Sequence, residues 1–280
     1  MICAEGKINP MTTTDKDLTR LSRRDCKNLA DSLADTPSNV QTIHALKHGT
    51  CHAFLSGTLS QRDALLVQPF SAPQEPMGFG PSVSALLNLL LRVPGWSCVW
   101  LNSEIAGQVG AAISAAIGHN VDYLDDIALT LTKPVPEFHH PDVRMLTLKD
   151  RALLESSPEE LRTSLYPSAK ELLTNGYIAG AIVNSHLVAT ALTVARTQKY
   201  AEIGVTTLTP YRGKGLASTA ASLVASSIAR SNQTPVWSVG EHNAASLRIA
   251  HKLGFEGVAK HRYVILTEKT IWKENEILEK

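Results

Sequence analysis

The chain has 280 residues, a formal net charge of +1 and 44% hydrophobic residues, enough to bury one large core or two smaller ones. No basic run is longer than Arg23-Arg24, which excludes a nucleic-acid footprint. The longest apolar runs, 85–91 and 106–117, are too short or too rich in small residues to span a bilayer. Residues 1–17 lack the apolar core of a signal peptide and Met11 offers an alternative start, so a cytoplasmic, reducing location is expected.

The N-terminal half reads as an α/β lobe over residues 1–133. Residues 15–34 and 39–47 read as helices, 64–68 as a strand, 82–91 as a helix, 96–101 as a strand, 103–117 as a helix and 127–132 as a strand. Its cysteines, Cys3, Cys26, Cys51 and Cys98, are scattered without pair spacing, so neither a metal site nor a disulfide is expected. Cys98, inside an apolar stretch, reads as a small buried hydrophobe. Residues 134–142 are polar, contain His139-His140 and precede a new run of periodic segments. They read as a linker, and the adjacent histidines as part of a solvated loop.

From residue 143 the expected order is a strand (143–148), a helical segment (150–175), a hairpin (177–183 and 186–195), and a strand from Tyr200 into a glycine-rich turn. A helix (216–230), a strand (235–239), a helix begun by Asn243 and closed by Gly254, and a hairpin-like pair (255–259 and 261–266) follow. Residues 267–280 read as a charged tail with a surface helix. Asn232-Gln233-Thr234 matches a glycosylation sequon, which has no consequence without secretion.

The turn after Tyr200 carries most of the chemistry. In Glu202-Ile203-Gly204-Val205-Thr206-Thr207-Leu208-Thr209-Pro210-Tyr211-Arg212-Gly213-Lys214-Gly215-Leu216-Ala217, the β-branched residues favour an extended chain and Pro210 ends it. Gly213 and Gly215 let the backbone turn with no side chain between its amides and a ligand. The helix that follows turns its free N–H groups and positive dipole end toward the turn, which suits a pyrophosphate. A Walker loop is excluded because Lys214 is followed by Gly215 rather than a hydroxyl residue. A dinucleotide fingerprint is excluded because only two glycines are present and no carboxylate stands near Pro235 and Val236.

Arg212, Gly215 and Ala217 do fit Arg/Gln-x-x-Gly-x-Gly/Ala, which resembles the coenzyme A loop of the GNAT acyltransferase superfamily. Pro235-Val236-Trp237-Ser238 and Asn243-Ala244-Ala245-Ser246, with Lys252-Leu253-Gly254-Phe255 behind them, resemble its second coenzyme A motif. Together the motifs are similar to a narrower group that includes zwittermicin-resistance-type acetyltransferases. The resemblance covers the C-terminal half and implies a GNAT fold over 143–266, an α/β (α+β) architecture with a mixed, mostly antiparallel sheet. The N-terminal lobe would then serve substrate specificity or stability, and a homodimer is compatible with either role.

The resemblance also implies acetyl-CoA as acyl donor and a primary amine, on a small molecule or peptide, as acceptor. Val205 and Thr207 would meet the pantetheine arm, and Arg212, Gly213, Lys214, Gly215, Leu216 and Ala217 the pyrophosphate. Asn243 and Ser246 would line the helix start beside the ligand. An alkylamine of pKa near ~10 is almost wholly protonated at neutral pH, so a base is needed. Glu202 stands at the matching position of the family's general base. The tyrosine that many GNAT proteins use to protonate the leaving thiolate is replaced by Ala250, and Ser246 is the substitute this sequence offers. No Cys or Ser is paired with a base, so direct attack in a ternary complex is expected. A non-catalytic acyl-CoA sensor or scaffold is the alternative.

Overall fold

The computed structural model describes residues 19–267. Cys3, the start of the helix expected at 15–34 and the tail beyond Thr267 lie outside the described residues. The elements, in chain order, are β1 (Thr19–Arg20), α1 (Arg23–Ser32), α2 (Val40–His48), β2 (Cys51–Gly57), β3 (Arg62–Pro69), β4 (Met77–Phe79), α3 (Val83–Arg92), β5 (Cys98–Asn102), α4 (Ser103–Ile117) and β6 (Val121–Thr130). After residues 131–142 come β7 (Val143–Met145), α5 (Arg151–Glu155), α6 (Ala169–Asn175), β8 (Ile178–Val183), β9 (His186–Arg196), β10 (Tyr200–Thr207), α7 (Leu216–Arg230), β11 (Thr234–Gly240), α8 (Ala244–Leu253) and β12 (Glu256–Leu266). The α/β class with a mostly antiparallel sheet is as expected.

The described chain forms two compact units, 19–32, 51–126 and 260–267 in the first, and 33–50 and 127–259 in the second. This differs from a simple divide at 134–142, because α2 packs with β9 and β10 of the second unit. Asp35 fixes the approach to α2 by accepting from Thr197 Oγ1 at 2.7 Å and from the Lys199 N–H at 3.0 Å.

In the second unit the strand order is β7-β8-β9-β10-β11, followed by the portions of β6 and β12 that belong to it. β7, β8, β9 and β10 pair antiparallel in succession, and β10 pairs parallel with β11. Small residues of α7, Ala220, Ala221 and Ala225, let that helix lie close on Ala179, Ala191 and Ala201, with Val224, Ile228, Trp237 and Phe255 filling the same core. The opposite face holds Leu146, Leu154, Leu161, Tyr166, Leu172, Ile178, Leu187 and Leu192.

The first unit repeats this plan. Its order is β1-β2-β3-β4-β5, followed by its portions of β12 and β6, with β2, β3 and β4 antiparallel, β4 and β5 parallel, α3 between β4 and β5, and α4 after β5. Strand, hairpin, strand, helix, parallel strand, helix, strand therefore occurs twice. Sequence periodicity shows an α/β lobe there but not the duplication.

Several elements differ from the sequence reading. The helical segment expected at 150–175 is broken into 3-10 turns and the short helices α5 and α6, with Pro158 and Pro167 inside it as helix breakers. The pair expected at 255–259 and 261–266 is one unbroken strand, β12. Residues 134–142 are an ordered strap: Val135 and Phe138 pack on the second unit's core, Ser222 Oγ donates to the Pro136 carbonyl, and Lys252 Nζ sits 4.4 Å from the Phe138 ring centroid. Cys98 is buried as expected, and Cys26 and Cys51 are free. Among the described residues no His/Cys/Asp/Glu group could hold a metal ion, and no helix is long and apolar enough to cross a membrane.

Candidate active site

The site lies in the second unit, where β10 and β11 part. Their parallel pairing covers only Tyr200↔Thr234, Ala201↔Pro235 and Glu202↔Val236, although β10 runs on to Thr207 and β11 to Gly240. On its other edge β10 stays paired with β9 to Thr207↔Ala189, and the Leu208 N–H continues that ladder to the Val188 carbonyl at 3.0 Å. Antiparallel ladders alternate, so if Leu208 bonds toward β9, Thr206 and Gly204 do too, while Val205 and Thr207 aim their N–H and C=O groups the other way. That is the side β11 has left. Thr207 Oγ1 of the same strand is buried without a hydrogen-bond partner, an unmet polar atom.

Beyond Thr207 the chain makes a 3-10 turn at Thr209–Tyr211 and enters α7 through Arg212, Gly213, Lys214 and Gly215. Gly213 has φ 77° and Gly215, the N-cap of α7, has φ 80°, left-handed backbone that glycine adopts without strain. A Cβ at either position would meet no atom within 4 Å, so these backbones face open space. The helix has no side-chain cap, and its first N–H groups, from Leu216 onward, have no intrahelical acceptor. Leu216 anchors the start of α7 by burial against Ala181, Val188 and Ala189. Arg212 Nε donates to the Thr207 carbonyl at 3.2 Å, and Lys214 Nζ lies 5.3 Å from the Tyr211 ring centroid. Open glycines, an uncapped helix start and two cations form a donor set suited to a pyrophosphate.

Glu202 stands where the strands begin to part. It is buried, at 4% exposure, on the face of β10 opposite Ala201 and Ile203, which belong to the core under α7. A bulge in β9 between the partners of Glu202 and Ile203 accompanies it. Its Oε1 accepts from Gln41 Nε2 of α2 at 2.8 Å. Gln41 was not singled out from sequence, because the two residues are 161 positions apart and nothing local signals the contact.

Asn243 is the N-cap of α8, its side-chain oxygen accepting from the Ser246 N–H at 3.1 Å. Ser246 Oγ accepts from Trp237 Nε1 at 2.9 Å, which leaves the hydroxyl proton to be donated elsewhere. Ala250, at the position where a tyrosine was sought, is fully buried in the core. The structure thus brings Val205, Thr207, Arg212, Gly213, Lys214, Gly215, Leu216 and Ala217 into one strand-turn-helix unit, whereas Asn243 caps α8 and Ser246 Oγ is engaged by Trp237 of β11.

Residues 141–266 match the family model described as GNAT acetyltransferase. No curated protein matches the sequence at a significant level. Among solved structures, a protein from Drosophila superposes with a TM-score of 0.64 at 14% identity, covering 90% of this chain and 99% of that one. A GCN5-related N-acetyltransferase-like protein from Streptococcus suis gives 0.60 at 19% identity, covering 86% and 98%. A GNAT-family acetyltransferase from Colwellia psychrerythraea gives 0.57 at 12% identity, covering 90% and 100%. These likenesses concern the fold.

Proposed function

We propose, from the match of residues 141–266 to the GNAT acetyltransferase family model, that the chain transfers an acetyl group from acetyl-CoA to a primary amine of a small molecule or peptide. The observation that carries this reading is the β10/β11 divergence leading to the open, uncapped turn at Gly213 and Gly215. Main-chain groups of Val205 and Thr207 would hold the pantetheine arm. Backbone amides of 213–217, with Arg212 and Lys214, would hold the pyrophosphate. Asn243 and Ser246 would flank it. When bound, acetyl-CoA supplies the acetyl group as an activated thioester.

The chain's own part is to bring the acceptor amine to that group and to remove its proton. In this reading Glu202 Oε takes the proton, directly or through a water, as the new C–N bond forms and the C–S bond breaks with the electron pair leaving on sulfur. Ser246, whose hydroxyl proton is uncommitted, is the proposed donor to that sulfur. A thiolate is a tolerable leaving group, so transfer need not depend on it. Within the family we place the chain beside the zwittermicin-resistance-type group, on Pro235-Val236-Trp237-Ser238 and Asn243-Ala244-Ala245-Ser246. Cytoplasmic residence is part of the same proposal.

Release of free thiol from acetyl-CoA across a panel of polyamines, aminoglycosides, amino acids and peptide N-termini tests the proposal. An amine-dependent release is expected with at least one class. Binding of coenzyme A with no release for any amine would identify a sensor or scaffold instead.

A further inference from the structure

Glu202 is a carboxylate almost wholly removed from solvent, and a buried carboxylate must be held by donors. The donor that reaches it from α2 is Gln41, at 2.8 Å. α2 is itself fixed. Val40, Thr42, Ile43, His44, Ala45 and Leu46 are buried, and Nδ1 of His44 accepts from the Arg196 N–H at 3.2 Å. Asp35 ties the preceding segment to Thr197 and Lys199. Arg196 and Glu202 stand in neighbouring register, since Arg196 pairs with Ala201 and Ala195 with Glu202. The helix that carries Gln41 is therefore anchored to the same strand pair that carries Glu202.

We propose that Gln41 is the positioning residue for Glu202, its amide N–H fixing the carboxylate in one rotamer. This rests on the reading of Glu202 as the general base. An isolated strand carboxylate would sample rotamers and lose alignment with the amine. The segment 33–50, although it stands in the N-terminal part of the chain, would thus complete the base of the acyltransferase unit.

A double-mutant cycle with Gln41→Met and Glu202→Gln, assayed with an amine that supports turnover, tests it. Met keeps the length and helix propensity of Gln but donates nothing; Gln41→Leu serves the same purpose should Met alter the melting temperature. Gln41→Met is expected to lower kcat roughly tenfold, the loss of one charge-assisted hydrogen bond, with KM for acetyl-CoA unchanged. In the Glu202→Gln background the same substitution is expected to change kcat less than about twofold, because no proton-accepting carboxylate remains to be positioned. An equal loss in both backgrounds, or none in the wild-type background, overturns the inference while leaving Glu202 as base. Unchanged turnover in Glu202→Gln alone overturns the reading of Glu202, and this role for Gln41 with it.

Discussion

In the proposed reading Gly215 serves binding and Glu202 chemistry, and each role can be tested singly. At φ 80° any side chain at Gly215 costs roughly 1–2 kcal/mol in backbone strain, a stability term that its motif alone does not disclose. Gly215→Val and Gly215→Ala share that strain, while Val adds the bulk that would keep a phosphate from the backbone. Calorimetry should show coenzyme A affinity at least about tenfold weaker in Val than in Ala, with both proteins folded; equal affinities would remove the pyrophosphate from this turn. Arg212→Ala is expected to cost about 1–3 kcal/mol of binding, since backbone amides carry the rest.

Glu202→Gln keeps the shape of the side chain and its contact with Gln41, yet cannot accept a proton. kcat/KM should fall by about 10²–10⁴, less so as pH approaches the amine's own pKa, while coenzyme A affinity stays. A loss under about fivefold at every pH, with chemistry rate-limiting, would make Glu202 structural. The residues of the turn were legible because the signal is local, glycine spacing ahead of a helix. Gln41 was not, because its contact depends on how a segment far away in sequence folds back.

At the scale of elements, helices with capping residues were the easiest to read. Asn243 caps α8 through its side chain, as the sequence suggests, and Ser82 and Asn102 do the same for α3 and α4. Asn243→Ala should cost about 1 kcal/mol of stability, seen as a lower melting temperature; it should weaken coenzyme A only if the amide also meets the ligand. The strands missed among the described residues were β1, which falls inside the helix expected at 15–34, β2 and β4. β4 is three residues long, and its Gly78, where a Cβ would lie 2.6 Å from a Leu101 methyl, reads in isolation as a turn. β2 is buried at consecutive positions 53–55, so it lacks period-two alternation. The strap at 134–142 looked like a linker because its polar residues conceal two apolar anchors, Val135 and Phe138.

At the scale of the molecule, two buried histidines give each unit a similar acid response. Burial first of all pushes His44 down to about 4, and burial does the same to His261. Each takes up a proton near 6.5 when unfolded but not until about pH 4 when folded. Their contribution to stability is therefore complete above pH 6.5 and falls as pH drops from there toward 4, by up to about 1.4 kcal/mol per pH unit for each. Asp150, held down to about 2 chiefly by Arg144, adds a further loss only between about pH 4 and 2. Denaturant midpoints measured from pH 8 to 4 should decline below pH 6.5, and His44→Asn or His261→Asn should flatten the decline. A midpoint constant over that range would contradict both burials.

The duplicated plan bears most directly on the central claim. In the first unit the link from β4 to α3 is only Gly80, Pro81 and Ser82. A Cβ on Gly80 would lie 2.5 Å from the Asp63 carbonyl oxygen, and Ser82 caps α3 by accepting from the Ala85 N–H. Only the second unit, at Gly213 and Gly215, offers an open and uncapped helix start at the matching place. Titration of coenzyme A into the intact chain by calorimetry decides the matter. One molecule is expected to bind per chain, with affinity lost in Gly215→Val relative to Gly215→Ala; two molecules per chain, or one whose affinity ignores Gly215, would contradict a single coenzyme A site at this turn.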